Sequence, residues 1–284
     1  MPSIASHIAF ISAAALMVLT GSAASGQSTQ PAAAPALHPA LLLVGDSIVN
    51  TGSITANRGP LGWGAELIPQ FDSTKIHVYN EGRGGRSSRS YIEEGLWAKV
   101  LAQLQPGDFV IIQFGHNDSA NSQNYPDRIT VKGSDDQTQE IVSPVNGGKE
   151  TIHTYGWYLR QYIKDASAKG ASVIICSPPP RNMWADGKIK RGFNGFVQWA
   201  SDAAKAGGAL FIDLNALSAD RFDGLGQEAG AKYFADTQHT TKAGAQLNAD
   251  AVVEGIKQLK TISLADALLP TAGKPVPPAT SSPQ

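Results

Sequence analysis

Cysteine is almost missing from this chain of 284 residues: Cys176 is the single one. One thiol cannot close an intramolecular disulfide, so packing and hydrogen bonds alone must hold the fold. Cys176 ends the apolar run ASVIIC. No cation or histidine adjoins it to stabilise a thiolate, so it reads as a core thiol and not as a nucleophile. An excess of charge is also lacking. The 23 Lys and Arg face 24 Asp and Glu, a formal net charge of −1. Such a balance supplies no global field for nucleic acid or an anionic membrane. No His or Cys spacing matches a metal site, no internal repeat is visible, and no apolar run is long enough to span a bilayer comfortably. Hydrophobic residues at 42% and charged residues at 17% are the composition of a packed globular domain.

The ends differ from the middle. Residues 8–19 are apolar apart from Ser12, and small residues follow through Gly26. This is the length of a signal-peptide core, although no Lys or Arg precedes it. The expectation is a signal peptide over 1–26 and a secreted or periplasmic product without stable membrane association. Residues 27–38, rich in Ala and Pro, read as a linker. Residues 266–284, with PTAGKPVPPATSSPQ at their end, read as a disordered tail. The domain is then 39–265.

Inside it, short apolar runs at 40–44, 75–79, 109–114, 171–176 and 210–213 have the length and branched content of buried strands. Helical spacing separates them. Tyr155, Tyr158, Leu159, Tyr162, Ile163 and Ala166 fall on one face, as do Ala245, Ala249, Val252, Val253 and Ile256. The alternation predicts an α/β fold with a parallel sheet covered by helices on both faces. Residues 119–150 are polar, without periodicity, and are expected to be a long loop walling the substrate side.

Ligands of such a sheet bind at the C-terminal ends of the strands. GDSI (45–48) follows the first run, NEGRGGRSSRSY (80–91) the second and GHND (115–118) the third, while DTQH (236–239) precedes the last helix. Ser47, expected where a strand passes into a helix, is the candidate nucleophile, and it requires a base. His239 has Asp236 three residues before it, close enough for a short loop to turn the carboxylate onto the imidazole, the division of labour of a Ser-His-Asp triad. The amides of Ser47 and Gly85 and the side chain of Asn117 are candidate oxyanion donors. Asp46 and Asp118 are read as braces for their turns. Arg83, Arg86, Arg89, His116 and Trp184 are candidate substrate contacts: arginine forks suit uronate carboxylates and an indole suits a sugar face.

The four blocks GDSI, GGRS, GHND and DTQH resemble those of SGNH (GDSL-like) hydrolases, over nearly the whole domain. The flanking words GWGAEL, GRSSRSY and YFADTQHTTKAGA are most similar to the rhamnogalacturonan acetylesterase branch. The resemblance implies a three-layer α/β/α, flavodoxin-like fold with a five-stranded parallel sheet and its first strand between the second and third. It implies Ser47, Asp236 and His239 as catalytic residues and Ser47, Gly85 and Asn117 as the oxyanion hole. It further implies removal of acetyl groups from a pectic polysaccharide, with no metal or organic cofactor. Acetylated xylan or another carbohydrate ester stays open as substrate, and so does a non-catalytic carbohydrate-binding role. Oligomeric state is unknown from the sequence.

Overall fold

The computed structural model describes residues 38–52, 61–119, 124–143 and 146–274. The expected signal peptide, the linker except His38, and the tail beyond 274 lie outside the described residues. In chain order the elements are β1 (Ala40–Gly45), α1 (Trp63–Leu67), β2 (His77–Asn80), α2 (Ser88–Glu93), α3 (Leu96–Leu101) and β3 (Phe109–Gln113). There follow β4 (Thr138–Val142), β5 (Lys149–His153), α4 (Tyr155–Ala168), β6 (Ser172–Cys176), β7 (Trp184–Ala185) and β8 (Lys188–Ile189). The chain continues through α5 (Phe196–Gly207), β9 (Leu210–Ile212), α6 (Leu214–Leu225), α7 (Gln227–Ala231) and α8 (Lys242–Gln258).

Five strands form one parallel sheet in the order β2–β1–β3–β6–β9. Helices cover both faces, as the sequence predicts, and the first strand lies between the second and third, as the resemblance implies. Alternate side chains serve opposite faces, the period-two rule of a strand. Leu41, Leu43, Ile111, Ile174 and Cys176 share a core with Trp63 of α1 and with Val252 and Ile256 of α8. Leu42, Val44, Val110, Ile112 and Ile175 share the other with Trp97 of α3, Tyr162 of α4 and Ala203 of α5. Because both faces are buried, the central strands read as unbroken apolar runs. Each fully buried Leu, Ile or Val contributes about 1.5–3 kcal/mol relative to an exposed one.

Three expectations are corrected. First, the segment expected as a loop contains an antiparallel pair, β4 with β5, from Thr138↔His153 to Val142↔Lys149. Most of its side chains are exposed or half-buried, so no apolar alternation marked it in the sequence. Second, the domain does not stop at 265. A 3₁₀ turn over Ser263–Ala267 leads to Leu268, which bridges to Phe71, and Ala272 is buried against the core. Gly273 N–H donates to Gln70 Oε1 at 2.6 Å, and Lys257 Nζ to the Ala272 carbonyl at 2.7 Å. Third, no helix begins at Ser47. Residues 47–49 form one turn, and the first helix among the described residues starts at Trp63.

Candidate active site

Strand β1 ends at Gly45, pressed against β3. A Cβ on Gly45 would stand 2.3 Å from the Gln113 carbonyl oxygen and 2.4 Å from Val49 Cγ2, so a side chain there would displace the turn. Asp46, wholly buried, then folds the chain around itself. Its carbonyl accepts the N–H groups of Val49 (3.2 Å) and Asn50 (3.0 Å), and its Oδ1 accepts that of Ile48 (2.9 Å). The start of α1 locks this turn from outside, Trp63 N–H donating to the Ile48 carbonyl (2.8 Å) and Gly64 N–H to that of Val49 (3.1 Å). Trp63 Nε1 also donates to Gln113 Oε1 at 3.2 Å, fixing α1 to the end of β3. The seat of Ser47 is thus rigid without a helix behind it.

Ser47 Oγ lies 3.0 Å from His239 Nε2, across 192 residues of sequence, and His239 Nδ1 lies 2.8 Å from Asp236 Oδ2. The other oxygen of Asp236 accepts the N–H groups of Gln238 and His239, each at 2.7 Å, which closes the short loop the sequence predicts. Partial burial raises the Asp236 carboxyl, but those two N–H donors and the imidazole outweigh it and leave it below the ordinary carboxylate range. An ionised Asp236 accepting from Nδ1–H leaves the Nε2 lone pair facing Ser47.

Gly85 has φ +78°, a left-handed conformation in which a side chain is strained. The N–H groups of Ser47 and Gly85 donate to no protein acceptor among the described residues. Asn117 Nδ2 donates to the Arg86 carbonyl at 3.1 Å, which holds the amide against the Gly85 loop and leaves its second N–H available. Asp118 fastens the same two loops from below. Its carboxylate accepts Ser88 N–H (3.1 and 3.2 Å), the Ser88 hydroxyl and Gly115 N–H (3.0 Å). Burial pushes both Asp46 and Asp118 up to about 7; backbone donors pull each back, and the proximity of Asp118 adds to the rise at Asp46.

The substrate contacts expected from the sequence fare less well. Arg89 is 1% exposed. Its guanidinium meets Glu93 (2.7 Å) and Glu150 and donates to the carbonyls of Pro126 (3.2 Å) and Ile129 (3.3 Å). It is an internal tie between α2 and the following loop, not a substrate contact. Arg86 is bound to Glu94 and to the Gly84 carbonyl, each at 3.0 Å. Arg83 alone of the three is exposed with no ion pair to a described residue. His116 is buried, not lining: its ring packs on Phe193 (centroids 4.7 Å apart) and its Nδ1 is 3.8 Å from Asp46 Oδ2. Burial, with the cation of Arg181 beside it, holds its pKa well below the usual histidine range. Trp184 is half-buried; it packs against the buried cluster that includes Phe222 and Phe234, and a Cβ on Gly230 would touch its ring at 2.7 Å. Its indole N–H is taken by Asn182 Oδ1 at 2.8 Å. It fills a gap beneath α6 and α7, and is not a sugar platform.

No pattern in the sequence singles out Arg128 and Tyr125, which the structure brings to the Gly85 loop. A Cβ on Gly85 would stand 3.3 Å from Arg128 Nη2, and the guanidinium carbon lies 4.3 Å from the centre of the Tyr125 ring. Both residues fall in the unpatterned polar segment, where composition alone does not separate a site residue from its neighbours. Among the described residues no cluster of three His, Cys, Asp or Glu side chains is placed to hold a metal ion.

Comparison with known proteins supplies a family. The model described as "GDSL-like Lipase/Acylhydrolase family" matches residues 43–247, which include Ser47, Gly85, Asn117, Asp236 and His239. The rhamnogalacturonan acetylesterase of Emericella nidulans is 35% identical over 222 residues, covering 78% of this chain and 86% of that protein. The probable rhamnogalacturonan acetylesterase YesY of Bacillus subtilis is 32% identical over 225 residues, covering 77% and 93%. Among solved structures, the YxiM protein of Bacillus subtilis superposes with TM-score 0.63 at 24% identity, covering 78% of this chain and 56% of that one. The acetylxylan esterase Axe2 of Geobacillus stearothermophilus superposes with TM-score 0.55 at 20% identity, covering 77% and 94%. At such identities the superpositions speak for the fold alone.

Proposed function

The chain belongs to the GDSL-like lipase/acylhydrolase family, and from that premise we propose that it is a carbohydrate acetylesterase whose substrate is acetylated rhamnogalacturonan. The observation that carries the chemistry is the relay of Ser47, His239 and Asp236 at 3.0 and 2.8 Å, with three N–H donors on the adjoining loops. In this reading Ser47 Oγ attacks the acetyl carbonyl as His239 Nε2 takes its proton. Asp236 keeps the proton on Nδ1 and stabilises the imidazolium. The carbonyl oxygen becomes an oxyanion facing the N–H groups of Ser47, Gly85 and Asn117. His239 returns its proton to the departing sugar oxygen, leaving acetyl on Ser47. Water, deprotonated by the same imidazole, then releases acetate and restores the serine.

Support for a saccharide alcohol and an acetyl group comes from the two relatives above 30% identity, both named for rhamnogalacturonan deacetylation. We further propose that residues 1–26 export the enzyme to where such polymers occur, a reading that the N-terminal sequence of the mature protein tests. For the substrate, the measurement is acetate released from acetylated rhamnogalacturonan and acetylated xylan by wild type and Ser47→Ala. Release from the pectic polymer that disappears with Ser47→Ala is expected. Faster release from xylan overturns the substrate while keeping the esterase, and release that survives Ser47→Ala overturns the mechanism.

A further inference from the structure

Six arginines bear on the argument, and their partners separate one from the rest. Arg86 is held by Glu94, and Arg89 by Glu93 and Glu150. Arg181 donates to the His116 carbonyl at 3.2 Å and lies over the Phe193 ring. Arg160 is bound to Asp136 and to the Ser134 carbonyl. Arg83 is exposed on its loop. Arg128 differs from all of these: it is three-quarters buried, yet it makes no hydrogen bond to any described residue. Its Nε is buried without a hydrogen-bond partner, and its ion pair with the half-exposed Asp127 is loose, 3.7 Å long and beyond hydrogen-bond reach.

The guanidinium is nonetheless fixed in place. It rests over the Tyr125 ring at 4.3 Å, an arrangement that holds a cation without using its N–H donors. It packs on Gly85, where a Cβ would stand 3.3 Å from Nη2, 3.6 Å from Nη1 and 3.5 Å from the central carbon. The fork is therefore a few ångströms from the loop whose N–H faces the reacting carbonyl. An ordered, partly desolvated cation with vacant donors is costly unless an anion completes it. A planar carboxylate, matched by two parallel N–H groups, is the partner such a fork suits best.

We propose that Arg128 is the specificity-determining residue of this site, reading the carboxylate of the uronate sugar that bears the scissile acetyl group. The proposal rests on the acetylesterase reading and names what that reading leaves open: which group on the substrate is recognised, and by what. It moves carboxylate recognition from the 83–89 loop, whose arginines are mostly occupied, to the segment that packs against it.

The test is a matched pair of substrates, an acetylated rhamnogalacturonan oligosaccharide as free acid and as uronate methyl ester, which removes that charge and adds only a methyl group. Wild type should favour the acid in kcat/KM by about tenfold, equivalent to about 1.4 kcal/mol, mainly through KM. Arg128→Gln should bring that ratio close to one, and Arg128→Lys, which keeps charge but loses the fork, should retain part of it. Thermal unfolding of each variant checks that it folds. The wild-type ratio at low and high salt needs no variant and should shrink as salt screens the pair. A wild-type ratio near one overturns the proposal. So does an Arg128→Gln enzyme that slows on both substrates by the same factor, which would assign the cation to the oxyanion instead. If the methyl ester and acetylated xylo-oligosaccharide are cleaved as fast as the acid, carboxylate reading fails and the acetylesterase stands. If no acetylated saccharide is cleaved, both fail.

Discussion

Replacing Asp118 by alanine tests how far the active-site loops depend on a single buried carboxylate. Asp118 accepts from Ser88 N–H, the Ser88 hydroxyl and Gly115 N–H, and is 3% exposed. Asp118→Ala strands the two backbone donors, at about 1–3 kcal/mol each, while the hydroxyl rotates to a new acceptor. Relief from burying a carboxyl raised to about 7 offsets part of this. The net loss should be about 2–4 kcal/mol, read as a fall in the urea midpoint at unchanged slope and as a Tm lower by roughly 4–16 °C. Asp118→Asn keeps an acceptor oxygen but turns an NH₂ toward one of the donors, and should lie between. There is a pH signature as well. Folded Asp46 and Asp118 hold protons up to about pH 7, whereas unfolded carboxyls release theirs near about 4. Across that window the folded state binds more protons, so this part of the stability is full below about pH 4 and is lost as pH rises toward 7. Asp118→Asn removes one titration and its repulsion on Asp46, so its decline with pH should be shallower than that of wild type. An Asp118→Ala enzyme within about 1 kcal/mol of wild type, with kcat intact, would show that the Ser88–Gly115 tie does not hold the loops.

Three further outcomes follow from the geometry. Ser47→Ala and His239→Ala should each remove most turnover of a small aryl acetate, and the double variant should be little worse than either, because the two act as one unit; additive losses would separate them. Asn117→Ala should lower kcat by roughly 10²–10³ with little change in KM, since the oxyanion exists only in the transition state; a KM effect alone would make Asn117 a ground-state contact. Asp236→Asn should depress kcat by letting the imidazole turn away from Ser47; a kcat equal to that of wild type would exclude that role.

What was legible in the sequence was local. The Asp236–His239 pair is made by three residues of chain, and the two N–H groups Asp236 accepts belong to the same loop. Ser47, Gly85 and Asn117 follow strand ends, and an all-parallel sheet brings strand ends to one edge. That β1 lies between β2 and β3 is implied by the family resemblance and not by the order of the strands along the chain. Arg86 and Arg89 depart from the expectation, while Arg83 does not, because proximity in sequence is not proximity in direction. Ser87 caps α2 at Ser88, and the helix then turns Arg89 inward toward Glu93, one turn on, and Glu150, 61 residues away. His116 has a polar motif around it in sequence, but Phe193 and the neighbourhood of Arg181 enclose it in space.

The same distinction explains where specificity should reside. The relay and its donors sit on turns fixed by short-range hydrogen bonds: Asp46 around Ser47, Asp118 beneath Gly115, Asp236 around His239. Such turns tolerate little change, as the 2.3 Å approach of a Cβ on Gly45 to Gln113 illustrates. The segment carrying Tyr125 and Arg128 is tied differently. Its carbonyls at Pro126 and Ile129 are gripped by the buried Arg89, and Val131 beyond them exchanges backbone hydrogen bonds with His153 and Tyr155. Residues within the segment are otherwise free of the constraints on the turns, and substitutions there can alter which saccharide is held without disturbing the attack on its ester.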